Sequence, residues 1–209
     1  MHLTLAITTC NPNLEVGLGG GGLACASLVR LAGDSPRSAL LLAAVDLLLE
    51  DAGLAPADVK QVVVSRGPGS FTGIRAGLAT ASGLSAAAGM TVIAYDSFSM
   101  QAARSVTPGT FWVAQPGRRG EVYARPMRVN EGGLPEADGS IRTLRIEEAV
   151  ELGPWLAAPG LDLGAADRAP AGRSAAEALL YLAQNEYPPQ PAEPLYVEGP
   201  PVSGGDGSR

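Results

Sequence analysis

The sequence predicts an α/β protein with two lobes, each built from a mixed sheet flanked by helices. Along the first half, short apolar stretches with a period of two alternate with longer stretches at helical spacing. The stretch 105–109 has the composition of a linker, and 46% of the 209 residues are hydrophobic, which is enough for two small cores. We therefore assign residues 1–104 to a first lobe, 105–192 to a smaller second lobe, and 193–209 to a Pro- and Gly-rich tail that we expect to be disordered.

Three strands joined by short turns open the first lobe and predict an antiparallel meander. A helix follows, beginning at Ser35 and Pro36 and ending at Gly53. Strand and helix then alternate. The predicted bounds are Leu3–Thr9, Leu14–Leu18 and Leu23–Leu31 for the meander, then Val59–Ser65, Phe71–Ala88, Thr91–Ala94 and Ser97–Arg104. This order matches the ribonuclease-H-like half of the actin-like (ASKHA) superfamily, by analogy of element order.

The second lobe is predicted to open with a hairpin and to continue with a mixture of strands and helices. The predicted hairpin strands are Phe111–Gln115 and Glu121–Pro126. The later elements are a strand at Ser140–Leu144, a helix at Ile146–Ala157, a short strand at Leu161–Leu163 and an amphipathic helix at Arg173–Asn185.

Composition excludes several classes of function. The net charge is −6, and an acidic surface disfavours tight direct binding of RNA by this chain alone. The single histidine, His2, rules out a His-based zinc site or a Ser-His-Asp triad. We see no signal peptide and no apolar run long enough to span a membrane, so we expect a cytoplasmic protein without membrane contact.

A glycine-rich turn joins the buried strand Val59–Ser65 to the helix Phe71–Ala88. It lacks the Lys of a Walker A loop and the third Gly of a dinucleotide fingerprint, because Thr72 stands at the decisive position. Three interpretations stay open: a tight structural turn with a Ser or Thr cap, an anion-binding turn, or a turn that faces a partner. The residues of this turn are Gly67, Pro68, Gly69, Ser70, Thr72 and Gly73.

The helix after the turn carries almost no charge. Between Phe71 and Met90 the only charged residue is Arg75, and small residues dominate. A solvated helix normally has a charged face, so most of this helix must be covered. One side can lie on the sheet, and the other is covered either by the rest of this chain or by another protein.

The run Ser65–Leu84, with its Gly-Pro-Gly-Ser-Phe-Thr-Gly start, resembles the signature of the TsaB (YeaZ) family. Weaker similarities follow in order at Asp96–Ala102, Glu121–Tyr123 and Pro194–Val197. The resemblance implies an actin-like two-lobed protein that does no chemistry itself. It implies docking on TsaD, the subunit that transfers threonylcarbamoyl to N6 of adenosine 37 in tRNAs reading ANN codons. TsaE, an ATPase, would join that pair, and tRNA would be met only through the complex.

The resemblance also implies which surface docks. TsaB-like proteins pair with TsaD, or with a second copy of themselves, through the two helices of the first lobe. The partner-binding residues that we expect are Leu41, Val45, Leu48, Phe71, Ile74, Arg75, Leu78, Ala81, Ser82 and Ser85. We expect no catalytic residue, no metal and no cofactor on this chain alone, and the place left open for ATP or ADP is the partner interface.

The sequence departs from the family pattern at three points. Thr8 stands where an Asp is usual, Arg37 where a His is frequent, and Gln115–Gly120 where an Asp-Ala-Arg pattern is common. Without this Asp, we have less reason to expect nucleotide hydrolysis by this chain alone, because Mg²⁺ prefers carboxylate ligands. Two alternative functions stay open, a small actin-fold ATPase or phosphotransferase and a homodimeric adaptor with another client.

Overall fold

The computed structural model describes residues 2–32, 37–164 and 168–197. They form two lobes, each with a five-stranded mixed sheet. The first lobe contains the strands β1 (Thr4–Thr8), β2 (Leu14–Gly20), β3 (Leu23–Leu31), β4 (Gln61–Ser65) and β5 (Thr91–Tyr95), and the helices α1 (Arg37–Asp51), α2 (Phe71–Ala88) and α3 (Ser97–Ala102). Ser35 and Pro36, predicted to begin α1, lie outside the described residues.

The first sheet has the strand order β3-β2-β1-β4-β5. The meander β1–β3 is antiparallel, whereas β4 and β5 run parallel to β1. Successive side chains of a strand point to opposite faces, so β1 buries Leu5 and Ile7 under α1 and α2 and Ala6 on the other side. The meander and the two crossover helices are confirmed, with bounds that differ from the predicted ones by a residue or two.

The second lobe is built on β6 (Gly109–Pro116) and β7 (Glu121–Val129), an antiparallel hairpin. The helix predicted at Ile146–Ala157 is wrong in its second half: α4 covers only Ile146–Val150. Gly153-Pro154 interrupts the helix, because proline cannot donate the backbone hydrogen bond that a continuing helix needs. The lobe is completed by β8 (Pro135–Ala137), β9 (Arg142–Arg145) and β10 (Trp155–Ala157).

Two smaller features of the second lobe also differ from the sequence analysis. No strand forms at Leu161–Leu163, where the described backbone is irregular. The three-residue β8 was not predicted, and it pairs with the end of β7 next to a turn at Asn130–Gly133. Strands this short leave too little periodicity in the sequence to be recognised.

The last helix, α5 (Ala175–Gln184), belongs to the first lobe, so the boundary placed at residue 192 is wrong. It covers the face of the first sheet opposite α1 and α2, burying Leu179 and Leu180 there. The buried carboxylate of Glu15 accepts a hydrogen bond from the backbone N–H of Ala176 (3.0 Å) and another from Arg30 Nε (2.7 Å). A negative charge at the positive end of a helix is favourable, and it fixes α5 on the sheet.

The chain after α5 stays on the first lobe. Residues 187–197, which we call the strap, run along the free edge of β5 and reach the start of α2. The backbone N–H of Gln190 donates to Ala94 O (3.0 Å), and that of Leu195 donates to Arg66 O (2.8 Å). The expected disorder is therefore wrong for 193–197, because backbone hydrogen bonds hold this stretch; residues 198–209 lie outside the described residues.

Helix α2 lies unusually close to the turn between β1 and β2. A Cβ atom added to Gly73 would meet the carbonyl oxygen of Thr9 at 1.9 Å, and one added to Gly77 would meet Thr9 Oγ1 at 2.6 Å. The Thr9 hydroxyl in turn donates to Gly73 O (2.6 Å). Because glycine has no side chain, α2 can approach Thr9 this closely at Gly73 and Gly77. In contrast, a Cβ at Gly83 would meet nothing within 4 Å.

These two glycines of one helix predict opposite effects on stability. Gly73→Ala should lower the free energy of unfolding by about 1–3 kcal/mol, because the methyl group clashes with fixed backbone. Gly83→Ala should raise it by about 0.5–1 kcal/mol, because alanine has the better helix propensity and the site is open. Urea denaturation of both variants measures the difference, and equal effects would contradict the close approach of α2 to Thr9.

Candidate functional site

The space beside the glycine-rich turn is occupied by other groups of the same chain. Ser70 caps α2 by accepting a hydrogen bond from Gly73 N (3.2 Å), and its own N–H donates to Cys10 O (2.8 Å). A Cβ at Gly69 would lie 2.3 Å from the same carbonyl oxygen. Carbonyl groups thus occupy the space beside the helix start that a phosphate would need, and they repel anions. This geometry fits a tight structural turn and does not fit an anion-binding one.

A small buried polar cluster lies beneath the turn. The thiol of Cys10 lies 3.0 Å from Ser65 Oγ, and Ser65 Oγ donates to Thr8 Oγ1 (3.2 Å). Burial raises the pKa of the Cys10 thiol, although hydrogen bonds from neighbouring groups partly oppose the change. A buried neutral thiol is a poor nucleophile. Within the described ranges, no three potential metal ligands of the His, Cys, Asp and Glu types lie together.

The structure places most of the predicted partner-binding side chains inside the first lobe. Six of them are at most 8% exposed and pack in the core between the sheet and the two helices. The apolar stripe of each helix was predicted to form the outer, partner-binding surface. In the structure this stripe faces the strands. These buried residues are Leu41, Val45, Leu48, Ile74, Leu78 and Ala81.

The other predicted residues do reach the surface. Phe71, Arg75 and Ser82 are exposed, and Ser85 is half-buried. Between them α2 presents small residues, and α1 beside it presents leucines that are 42–57% exposed. We call this surface the outward helical face; it consists of Leu40, Leu42, Ala43 and Leu47 of α1 and Phe71, Ala79, Ser82 and Gly83 of α2.

The exposed leucines of this face were not among the predicted residues, although the sequence contains a signal for them. Residues 40–42 and 47–49 are all leucine, so α1 is apolar on more than one side. A helix that needed only to cover the sheet would carry polar residues at Leu42 and Leu47. The exposed side of α1 also carries three acidic residues, Asp46, Glu50 and Asp51.

The strap ends at one edge of the outward helical face. The ring of Tyr196 stacks on Phe71 with 5.3 Å between the ring centroids, and its hydroxyl accepts a hydrogen bond from Arg75 Nε (3.2 Å). The Arg75 guanidinium also lies 4.0 Å from the centre of the Phe71 ring. Both aromatic rings stay substantially exposed, so this cluster extends the apolar surface beyond the two helices.

Polar contacts anchor the strap at its other end. The Tyr95 hydroxyl donates to Tyr187 O (2.9 Å), and Gln190 Nε2 donates to a carboxylate oxygen of Asp96 (2.5 Å). Arg66, which could have faced a partner or a nucleotide, donates to Glu193 O (2.8 Å) instead. The strap is therefore a fixed part of the first lobe.

Comparisons with known proteins agree with this architecture. A family model described as "TsaD: tRNA N6-adenosine threonylcarbamoyltransferase" matches residues 36–141. The protein TsaB of Bacillus subtilis, named for tRNA threonylcarbamoyladenosine biosynthesis, is 34% identical over 94 residues, 44% of this chain and 41% of that protein. The solved structure of YeaZ from Pseudomonas aeruginosa superposes with a TM-score of 0.74 at 25% identity, covering 94% of this chain and 100% of that one.

The chain belongs to the TsaB/YeaZ family, within the wider family that the TsaD model describes. An uncharacterised protein of Mycobacterium tuberculosis is 45% identical over 75 residues, 36% of this chain and 35% of that protein. The chain thus spans less than half the length of the curated relatives it matches. The actin-like α/β fold class is confirmed. No helix in the described part of this TsaB/YeaZ member is both long and apolar enough to cross a membrane.

The Tyr95 contact with the strap predicts an unusual tyrosine titration. Burial raises the pKa of Tyr95 to about 12, and the neighbouring Tyr187 adds to the shift. We expect Tyr95 to ionise near pH 12 in the folded protein, measured by ultraviolet absorbance, and Tyr95→Phe should remove that step.

The same shift links stability to pH. Tyr95 has a higher pKa folded than unfolded, so its contribution to stability is complete below about pH 10, the ordinary pKa of tyrosine, and is lost as the pH rises towards about 12. Urea denaturation across this range should show a weaker pH dependence for Tyr95→Phe than for the unaltered chain. If Tyr95→Phe removed an ionisation near pH 10 instead of one near pH 12, that result would contradict the buried contact of Tyr95 with Tyr187.

Proposed function

We propose that this chain is a non-catalytic partner of a TsaD-type transferase in the formation of N6-threonylcarbamoyladenosine at position 37 of tRNAs that read ANN codons. The outward helical face carries this proposal. Exposure of leucine side chains to water is unfavourable. Three leucines of α1 are exposed, and the neighbouring helix α2 is almost uncharged. Family membership supplies the reaction, and this surface supplies the means of docking.

The chemistry of the face supports the proposed partner. Small residues on α2, such as Ala79, Ser82 and Gly83, let a partner's helices approach closely, while the leucines of α1 supply apolar area. The exposed side of α1 also carries the carboxylates of Asp46, Glu50 and Asp51, so basic side chains on the partner fit. We therefore propose a bundle of two helices from each chain, with TsaD as the partner and a second copy of this chain as its competitor.

The remaining members of the assembly follow from the same proposal. TsaE, an ATPase, joins the pair, and tRNA contacts this chain only within the complex. The chain contributes no catalytic group of its own, which the buried neutral state of Cys10 and the replacement of the usual Asp by Thr8 support. Any ATP or ADP in the assembly binds at the partner interface or on the other subunits.

Adjacent leucines of α1 provide the test of docking. Leu47 is 57% exposed and Leu48 is 1% exposed. Leu47→Asp should leave the chain folded and weaken the complex with TsaD by about 2–4 kcal/mol, roughly 30- to 1,000-fold, because it buries an unpaired carboxylate at the interface. Leu48→Asp should unfold the first lobe of the full chain even without TsaD, since the same charge enters its core. Light scattering with and without TsaD, and transfer of threonylcarbamoyl to unmodified tRNA, measure both consequences.

A third variant controls for the introduced charge. Val106 is also 57% exposed but lies in the segment that joins the lobes, away from the outward helical face. Val106→Asp should leave both the complex and the transfer reaction unchanged. If Leu47→Asp binds TsaD as well as Val106→Asp does, docking occurs on another surface. Loss of the homodimer alone, with TsaD binding intact, would favour the adaptor with another client.

A further inference from the structure

Two chain segments cross between the lobes and form a hinge. The first follows α3 and contains Arg104, and the second precedes α5 and contains Gly172 and Arg173. The backbone N–H groups of Gly172 and Arg173 donate to Arg104 O at 2.9 Å and 3.1 Å. Arg104 Nε returns a hydrogen bond to Arg173 O (3.0 Å). The two crossings are thus tied together at one point.

Three arginines lie at the hinge, Arg104 and Arg173 in the two crossings and Arg30 on β3 beside them, and two of the three are committed to structural contacts. Arg173 Nη1 donates to Ala103 O (2.9 Å) and Ser105 O (3.0 Å), and its guanidinium lies 3.8 Å from the centre of the Tyr181 ring. Arg30 is paired with Glu15 at 2.7 Å. The third arginine, Arg104, uses only Nε, so its terminal N–H groups have no hydrogen-bond partner among the described residues.

Arg104 is a partly buried cation without a full set of acceptors. Within residues 2–32, 37–164 and 168–197, its side chain makes a single hydrogen bond, through Nε, and has no carboxylate in salt-bridge contact. Burial lowers the pKa of this guanidinium, and the more distant Glu15 opposes the change. Arginine nevertheless stays protonated in proteins, so its terminal N–H groups remain available to water or to an anion.

Cavities lie on both sides of Arg104. The larger is an open depression of about 400 Å³, also lined by Arg30, Arg173, Ser174 and one carboxylate, that of Glu177. The smaller, of about 190 Å³, is lined by Gln101, Arg168 and residues 155–161. The Gln101 side chain is fully buried, and its Oε1 has no hydrogen-bond donor among the described residues. The Gln101 oxygen is a hydrogen-bond acceptor and does not favour an anion, so space and positive charge coincide in the larger cavity, where three arginines outnumber Glu177.

We propose that the hinge binds a small anion, a phosphate or carboxylate compound, on the guanidinium of Arg104. The terminal N–H groups of Arg104 form a fork that matches the oxygen atoms of either head group. Arg30 and Arg173 add positive potential at the edge of the same cavity. The bound anion connects the first sheet, through Arg30, with both crossings, so it restrains the angle between the lobes.

Calorimetric titration of the full chain tests this site, with inorganic phosphate and malonate as probes at constant ionic strength. We expect one binding site for at least one probe, and the stronger probe identifies the preferred head group. Arg104→Gln should weaken binding at least tenfold. Because this substitution also loosens the hinge, a second variant adds a charge without removing a contact: Ala171, an exposed residue that lines both cavities, is changed to Glu.

Ala171→Glu places a carboxylate at the mouth of the cavity and should abolish binding by competition and repulsion. Ala57→Glu, at an exposed position of the first lobe away from the hinge, is the matched control and should bind like the unaltered chain. Thermal unfolding without probe confirms that each variant is folded. The proposal is overturned if neither probe binds at millimolar concentration, or if Ala171→Glu and Ala57→Glu bind equally well.

Discussion

The contact between the start of α2 and the β1–β2 turn determines how the first lobe is arranged. The Thr9 carbonyl lies where a side chain of Gly73 would be, so the helix axis approaches the strands more closely than an ordinary residue would allow. This approach fixes which side of α2 is buried. Because α1 packs beside α2 on the same sheet face, it also fixes which leucines of α1 are left exposed. The outward helical face is thus a consequence of backbone packing.

The same contact explains why the turn is not a phosphate loop despite its composition. Glycines in a phosphate loop make room for an anion, whereas Gly69 and Gly73 make room for carbonyl groups of the chain itself. The two uses of glycine look alike in a sequence. They differ in the group that faces the glycine. Here that group is a carbonyl of the turn after β1, some 60 residues earlier in the chain.

Sequence patterns predicted the elements of the first lobe well, because each has a clear period and a marked boundary. The bounds of α2 agree with the prediction at both ends, where Ser70 caps the helix and Gly89 ends it. What could not be predicted depends on contacts distant in sequence. The carboxylate of Glu15 meets the backbone of Ala176, and this contact assigns α5 to the first lobe rather than the second. The inward orientation of Ile74 and Leu78 likewise depends on where the sheet lies relative to α2, which the helical pattern alone does not specify.

Return of the chain to the first lobe has a consequence for biosynthesis. The first sheet is complete once β5 has been made, but one of its faces, with Ala6 and Val63, stays incompletely covered until α5 emerges. The whole second lobe is synthesised in between. During translation the nascent chain must therefore protect an unfinished apolar surface, and the β6–β7 hairpin, which pairs locally, can fold while the first lobe waits for its last helix.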